Sequence, residues 1–316
     1  MILAGDVGGT STRLALFEAG AREPSALEVY ASGEHSGLEE MVADFLGRHP
    51  AQVSGASFGV AGPVYGGQVD MTNLAWPVDG RGLAAALGLP AVSLLNDLEA
   101  NAMGIAGLTE RDFAVLNGGD PTAVGNAAVI SAGTGLGQAG LYWDGARHHA
   151  FATEGGHADF AARNELEDDL RRFLAEEYGG HVSYERVCSG MGLENIYRFL
   201  TGSALDPADI STRALEGSDE AATKALDMMV SIYGSQAGNL ALTLMATGGV
   251  YVGGGIAPRI LPKLEEGGFM RAFVDKGRFR DLLEQIPVRV ILNDKTALLG
   301  AALDAAEKAA VGQPGV

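Results

Sequence analysis

Short apolar runs interrupted by glycine and hydroxyl residues mark the first half of the chain. Met1 to Ala4 and Leu14 to Phe17 flank Gly5-Asp6-Val7-Gly8-Gly9-Thr10, and Ala127 to Ile130 and Ala139 to Trp143 flank Ser131-Ala132-Gly133-Thr134-Gly135-Leu136-Gly137. Each pattern predicts strand, turn, strand: a hairpin, not a strand feeding a helix. Apolar runs at Ala56 to Val60 and Val92 to Leu95, with helical Leu83 to Leu87 between them, predict an α/β lobe reaching about Asn117. After the punctuation Gly118-Gly119-Asp120-Pro121, the second glycine turn opens another lobe of the same style. Leu166, Leu170, Phe173, Leu174 and Tyr178 recur at helical spacing among acids and arginines, which predicts an amphipathic helix from Asn164 to Tyr178 with a core-facing stripe. Asp227 to Met245 predicts a long, mostly buried helix stopped by Gly248-Gly249, then a strand over Val250 to Val252. Thr296 to Ala309 is alanine-rich and helical. The expected organisation is a small α/β domain at 1–117, a large α/β domain at 118–296, and a C-terminal helix at about 297–316 packing back on the first domain.

Composition narrows this picture. The chain has 316 residues and is 47% hydrophobic, enough for a large core and for two lobes. Its 22 Lys and Arg against 40 Asp and Glu give a formal charge of −18, which argues against nucleic-acid and anionic-membrane surfaces. Screening confines that repulsion to about 8 Å at physiological salt, so backbone donors and a bound cation can still make one cleft attractive to phosphate. Cys188 is the single cysteine, which excludes an intrachain disulfide and a cysteine-built zinc site, and a reducing cytoplasm fits. Its expected role is that of a small buried apolar residue. The first apolar stretch follows no basic segment and meets Asp6 at once, unlike a signal peptide. Met228 to Pro258 carries no charge, but its glycines with Ser231, Ser235, Gln236 and Asn239 predict a buried helix and strand rather than a membrane span.

Several clusters could carry chemistry. The paired glycine turns let backbone N–H groups approach phosphate oxygens, with Thr10 and Thr134 adding hydroxyl donors. Two ordinary glycine hairpins would look the same individually. Gly135-Leu136-Gly137-Gln138-Ala139-Gly140 matches G-x-G-x-x-G, yet Leu141-Tyr142-Trp143 leads to a turn at Asp144-Gly145, not to the helix a dinucleotide site requires. No Walker motif occurs. Asn96-Asp97 ends a buried strand, where open α/β sheets place ligands, and an ionised aspartate there can accept a hydroxyl proton as the oxygen attacks phosphorus. The same pair can cap the helix that follows, and both readings can hold. Glu154-Gly155-Gly156-His157, followed by Asp159, offers the paired donors and acceptors a sugar needs, or else a solvated loop. It makes a poor transition-metal set without a second nearby histidine. Taken alone, Glu185-Arg186 reads as an exposed charged helix face. Gly253-Gly254-Gly255 after a strand can accept a flat ring or serve close strand-to-helix packing.

In this order and spacing the motifs resemble the bacterial glucokinase family, within the hexokinase, Hsp70 and actin-like ATPase fold, over nearly the whole chain. Gly5 to Arg13 resembles the first phosphate loop, Ser131 to Gly137 the second, and Gly248 to Pro258 the adenosine segment. Leu95-Asn96-Asp97 resembles the catalytic strand end, and Glu154 to Asp159 and Glu185 to Gly190 the sugar loops. Phe273 to Phe279 is similar as well. The resemblance implies a two-lobed, ribonuclease H-like α/β fold, with mixed sheets flanked by helices and the active site in the interlobe cleft. It implies Asp97 as general base, with Asn96, Asp97, Glu154, His157 and Glu185 binding glucose. It implies Gly5, Asp6, Val7, Gly8, Gly9, Thr10, Arg13, Gly133, Thr134, Gly135, Gly254 and Gly255 around ATP, with Asp6 near Mg²⁺ through water. Ser11-Thr12 departs from relatives that carry asparagine after the threonine. The related repressor, open reading frame and kinase group has a cysteine-rich zinc motif that Cys188 alone cannot supply, so the resemblance is to the zinc-free glucokinases.

The expected activity is ATP-dependent phosphorylation of the glucose 6-hydroxyl, the first step of glucose catabolism, by a cytoplasmic homodimer. The partners are glucose and MgATP, without nucleic acid or membrane. A broader-specificity hexokinase, a non-catalytic sugar-binding regulator and a chaperone-type ATPase are the competing readings. The polyol-type residues oppose the last of these. ADP or polyphosphate as donor would fit the same glycine loops.

Overall fold

The computed structural model describes residues 1–69, 74 and 76–311. Two compact units emerge, one built from 1–109 with 295–316 and the other from 110–294.

The first unit holds strands β1 (Ile2–Val7), β2 (Ser11–Phe17) and β3 (Ala26–Ala31), helix α1 (Leu38–Arg48), strands β4 (Gly55–Val60), β5 (Gln68–Val69) and β6 (Val78–Asp79), helix α2 (Gly80–Leu87), strand β7 (Ser93–Asn96) and helix α3 (Asp97–Gly104). Its main sheet runs β3-β2-β1-β4-β7, while β5 and β6 pair separately. Alternation along β1 and β2 decides which layer each side chain joins. Leu3, Val7, Leu14 and Leu16 pack with Leu38, Met41, Val42 and Phe45 of α1 and with Leu83 of α2. Ile2, Ala4, Ala15 and Phe17 belong to a separate apolar cluster on the other face. Burial on both faces explains why these strands read as continuous apolar runs.

In the second unit come β8 (Phe113–Asn117), β9 (Ala127–Ala132), β10 (Leu136–Trp143), β11 (His148–Thr153), α4 (Glu165–Glu177), α5 (Gly190–Thr201), α6 (Pro207–Glu216), α7 (Glu220–Leu244), β12 (Gly249–Gly253), α8 (Leu261–Glu265), α9 (Gly268–Phe273), α10 (Arg280–Glu284) and β13 (Val288–Ile291). The sheet order is β11-β10-β9-β12-β13-β8. Its core joins Ile130, Val250, Val252, Val288 and Val290 to the apolar faces of α4, α5 and α7. The helix expected from Asp227 begins earlier, at Glu220, because the Asp219 carboxylate accepts from the N–H groups of Ala221 and Ala222 and caps it.

The two sheets follow one plan. β1 pairs antiparallel with β2 and parallel with β4, and β9 pairs antiparallel with β10 and parallel with β12. Both glycine turns therefore close hairpins. The expected domain boundary at 117 put Phe113–Asn117 in the first lobe, whereas β8 pairs with β13 at the edge of the second sheet. Gly118-Gly119 ends an edge strand instead of separating two domains.

The last helix, α11 (Thr296–Val311), completes the first unit, where Leu298, Leu299, Ala301, Ala302 and Ala305 meet Ile2, Ala4, Ala15 and Phe17. Residues 312–316 of the helix expected at about 297–316 lie outside the described residues. α11 also crosses α3 at very short range. A Cβ on Gly300 would lie 1.8 Å from the Ala100 carbonyl oxygen, and one on Gly104 would lie 1.9 Å from that of Thr296. Gly300→Ala should therefore push the helices apart and cost about 1–3 kcal/mol or more, read as a lower melting temperature of the first unit. An unchanged melting temperature would contradict the close crossing.

Candidate active site

In the first unit the ends of three parallel strands lie side by side. Asp6 is opposite Gly59, and Val60 is opposite Asn96, so β1, β4 and β7 bring Asp6 and Asn96-Asp97 to one edge of the sheet. Asn96 caps α3 through its Oδ1, which accepts from the N–H of Leu98 at 3.0 Å, while its Nδ2 donates to the Gly62 carbonyl at 3.1 Å. One hydrogen and one lone pair of that amide remain beyond these two bonds. The Asp97 Oδ1 accepts from the same Leu98 N–H at 2.9 Å. Two residues along α3, burial pushes the Glu99 carboxyl above the ordinary range, reinforced by the charge of Asp304 and opposed by an N–H of Asn96 and by Lys308.

The first glycine turn is braced from behind. Gly8 N–H donates to the Ser11 carbonyl at 3.0 Å, and Ser32 donates its hydroxyl to the Gly8 carbonyl at 2.7 Å. The Ser32 hydroxyl also meets that of buried Thr12 at 2.9 Å, and the Ser32 N–H reaches the Thr10 carbonyl at 3.0 Å. Gly8, Gly9 and Thr10 remain at least partly accessible, whereas Val7 is buried in the core. Gly5 lies inside β1, where a Cβ would sit 2.3 Å from the Phe58 ring, so packing already requires its glycine. Asp6 stands opposite Arg13 across the hairpin.

The second unit repeats the arrangement at the ends of β9 and β12, where Gly253 is opposite Ser131. Gly254 has φ of +82°, and a Cβ there would lie 2.2 Å from the Ala132 carbonyl oxygen, so it combines a left-handed backbone with close approach. Gly255 has open space around it, and the Ile256 N–H reaches the Ala132 carbonyl at 3.2 Å. Beneath these segments Tyr233 is fully buried. Its hydroxyl accepts from the Ala132 N–H at 3.2 Å and donates to the Ile130 carbonyl at 3.0 Å.

The polyol-type residues join the same end of the sheet. Thr153 pairs with Gln138, which carries the chain from β11 to Glu154 beside the start of β10. Glu154 heads the 3-10 turn Gly155–His157, its Oε2 3.9 Å from His157 Nε2 and the two side chains 66% and 59% exposed. Gly156 packs so tightly on Leu136 that a Cβ would fall 1.8 Å from its carbonyl oxygen. Glu185 is half-buried rather than on the exposed charged face its sequence context suggests, since its Oε2 accepts from the Leu136 N–H at 3.0 Å. Arg186 turns away to cover the Tyr178 ring at 4.0 Å. Thr134 at the tip of the turn is exposed. Cys188 is completely buried and burial pushes its thiol far up, which makes it inert packing.

Among the described residues no group of three His, Cys, Asp or Glu could by itself hold a metal. A lone carboxylate such as Asp6 suits magnesium, which keeps several waters and takes most other ligands from phosphate. A separate cavity of about 720 Å³, lined by Met270, Arg271, Asp275, Arg280 and Glu284 among others, contains none of these residues.

Two α/β units built on one hairpin-and-parallel plan, each with a glycine turn at its sheet end, define the actin-like ATPase fold as sugar kinases use it. A sequence model of the glucokinase family matches residues 3–308. The chain is 42% identical to a glucokinase of Trichormus variabilis, over 97% of its own length and 99% of that relative. It superposes with a TM-score of 0.88 on the crystal structure of a glucokinase from an Antarctic psychrotroph, at 32% identity and covering 97% and 98% of the two chains. It shares its fold, with a TM-score of 0.66 at 20% identity and coverage of 97% and 99%, with a ROK family glucokinase from Streptomyces griseus in complex with glucose and AMPPNP. The chain belongs to the glucokinase family.

Ser32 and Tyr233 support the site but carry no signal in the sequence, because each acts on a segment remote along the chain. Ser189 accepts from the Gly192 N–H as the cap of α5 and donates to the Glu185 carbonyl at 2.7 Å. Tyr233→Phe would leave the Ala132 N–H without its partner and should cost about 1–3 kcal/mol. Urea denaturation of the second unit should show a lower midpoint. An equal midpoint would show that this bond is dispensable.

Proposed function

We infer that the protein transfers a phosphoryl group from ATP to the 6-hydroxyl of D-glucose, releasing glucose 6-phosphate and ADP. The observation that carries this reading is the coincidence, at the strand ends of each sheet, of a glycine turn suited to phosphate with side chains suited to a polyol. The first unit contributes Gly8-Gly9-Thr10 beside Asn96-Asp97. The second contributes Gly133-Thr134-Gly135 and Gly254-Gly255 beside Glu154, His157 and Glu185. A regulator without catalysis or a simple ATPase would need only one of these two sets.

In this reading Asp97 accepts the proton of the 6-hydroxyl as that oxygen attacks the terminal phosphorus. Its Oδ1 accepts from the Leu98 N–H at the head of α3, which supports this reading by orienting the carboxylate. Asn96, Glu154, His157 and Glu185 orient the sugar through its other hydroxyls. Backbone N–H groups of the two turns, with Thr10 and Thr134, hold the phosphates, and Gly254-Gly255 leave room for the adenine. Asp6, with Arg13 opposite it, is placed to meet Mg²⁺ through water, and magnesium when bound supplies charge neutralisation on the phosphate oxygens. Positioning and charge stabilisation account for most of the rate, since phosphoryl transfer asks little covalent chemistry of a protein. We further propose that the enzyme acts in the cytoplasm as a homodimer. No described helix is long and apolar enough to cross a membrane.

Mixing the protein with MgATP in the presence and absence of glucose tests the activity directly. Sugar-dependent ADP release is expected; release regardless of sugar, or none, would refute it. Crossing several hexoses with ATP, ADP and polyphosphate would define acceptor and donor. Asp97→Asn should keep glucose affinity while turnover falls by about 10²- to 10⁴-fold. Near-normal turnover would remove Asp97 from the mechanism. Glu154→Gln should mainly weaken glucose binding by calorimetry, and an unchanged affinity would count against its place in the sugar site.

A further inference from the structure

We propose that the Glu185 carboxylate gates the second glycine turn electrostatically, so that nucleotide binds well there only once a sugar has engaged Glu185. The inference rests on the reading above, in which Gly133 to Gly135 meets phosphate and Glu185 meets sugar.

The geometry ties these two roles to one side chain. Glu185 Oε2 accepts from the Leu136 N–H at 3.0 Å, and a Cβ on Gly135 would lie only 2.4 Å from the same oxygen. The glycine at 135 is therefore what admits a full negative charge to the turn. A second tie fixes the other side, where the Gly190 N–H donates to the Gly133 carbonyl at 2.8 Å. Ser189 donates to the Glu185 carbonyl at 2.7 Å and holds the intervening backbone. The segment from Glu185 to Gly190 thus grips both ends of the turn. Its Oε1 has no hydrogen-bond partner among the described residues.

Two consequences follow for ligands. The Leu136 N–H is already committed to a carboxylate, so it is withheld from phosphate. The carboxylate lies against the turn and repels a phosphate that approaches it, because charges in a partly buried site are poorly screened. A sugar hydroxyl donating to Oε1 would draw the carboxylate towards the sugar and off the Leu136 N–H, which returns that donor to the turn and moves the charge away from the phosphate. Sugar and nucleotide affinities then become linked through Glu185, and linkage of this kind is reciprocal. For a kinase the result is useful: without sugar the phosphates are held weakly, which limits transfer to water.

Calorimetry with Mg²⁺ and AMPPNP, with and without saturating glucose, tests this on the full chain and on one variant. In the parent, glucose should tighten AMPPNP binding by about 5-fold or more. Glu185→Gln removes the charge while keeping an oxygen for the Leu136 N–H. It should bind AMPPNP without sugar more tightly than the parent does, and glucose should then add little. A parent whose AMPPNP affinity ignores glucose overturns the proposal and needs no variant to do so. So does Glu185→Gln binding sugar-free AMPPNP no better than the parent, as a coupling carried elsewhere in the molecule would predict. These failures differ from failure of the proposed activity, in which the parent itself releases no ADP in response to sugar.

Discussion

Each unit depends on one central strand that pairs antiparallel on one side and parallel on the other. For β1 the antiparallel partner is β2 and the parallel partner is β4, and for β9 they are β10 and β12. A hairpin turn and the end of a parallel strand are thereby forced to the same edge of the sheet. Backbone donors in the turn and side chains at the strand end then share one locality without any long loop to bring them together. The glycines follow from this constraint in two distinct ways. Gly254 is needed because the backbone is left-handed and crowded against Ala132, and Gly5 because the Phe58 ring occupies the space of a Cβ.

A chain carrying −18 must solve a local problem at these turns. Its answer in the first unit is neutral and internal. Ser32 and Thr12 satisfy the turn from behind through the Gly8 carbonyl, which leaves the front to a ligand. The second turn is instead held by an anionic group, Glu185, although phosphate would favour a cation there. A carboxylate accepting from a backbone N–H is a strong bond, so the arrangement is structurally sound. That asymmetry between two otherwise similar turns underlies the proposed response of the second one to sugar.

Much of this was legible in the sequence wherever the relevant contacts are local. Both hairpins could be read from glycine and hydroxyl residues between apolar runs, and the Asn96 cap from its place before a helical pattern. Contacts between segments far apart could not be read. Glu185 reaches a backbone N–H 49 residues away, so its sequence neighbourhood suggested a solvated charged face. Ser32 serves a carbonyl 24 residues earlier from the end of an edge strand. The division placed at 117 failed for a related reason. Gly118-Gly119 is a genuine stop signal, but the partner of the strand it ends is β13, which lies far beyond any local window.

The repeated plan also explains why one strand end differs from its counterpart. β7 and β13 occupy matching positions beyond β4 and β12, and each leads towards a helix, α3 or α11. The chain writes Leu-Asn-Asp at both places, as Leu95-Asn96-Asp97 and Leu292-Asn293-Asp294. After β7 the helix starts at once, so Asn96 becomes its cap and Asp97 its first residue. After β13 the helix starts only at Thr296, and the Asn293 amide donates to Asp112 at 2.9 Å. Two residues of delay thus change an Asn-Asp pair from a helix head into a loop. α11 then crosses α3 with Gly300 against Ala100 and Gly104 against Thr296, a reciprocal contact between helices that follow equivalent strands. In the proposed reaction each unit offers a turn for phosphate, whereas the transfer needs only one base. The first copy of the Asn-Asp pair keeps the helix-head geometry that fixes a carboxylate, and the second copy has given it up.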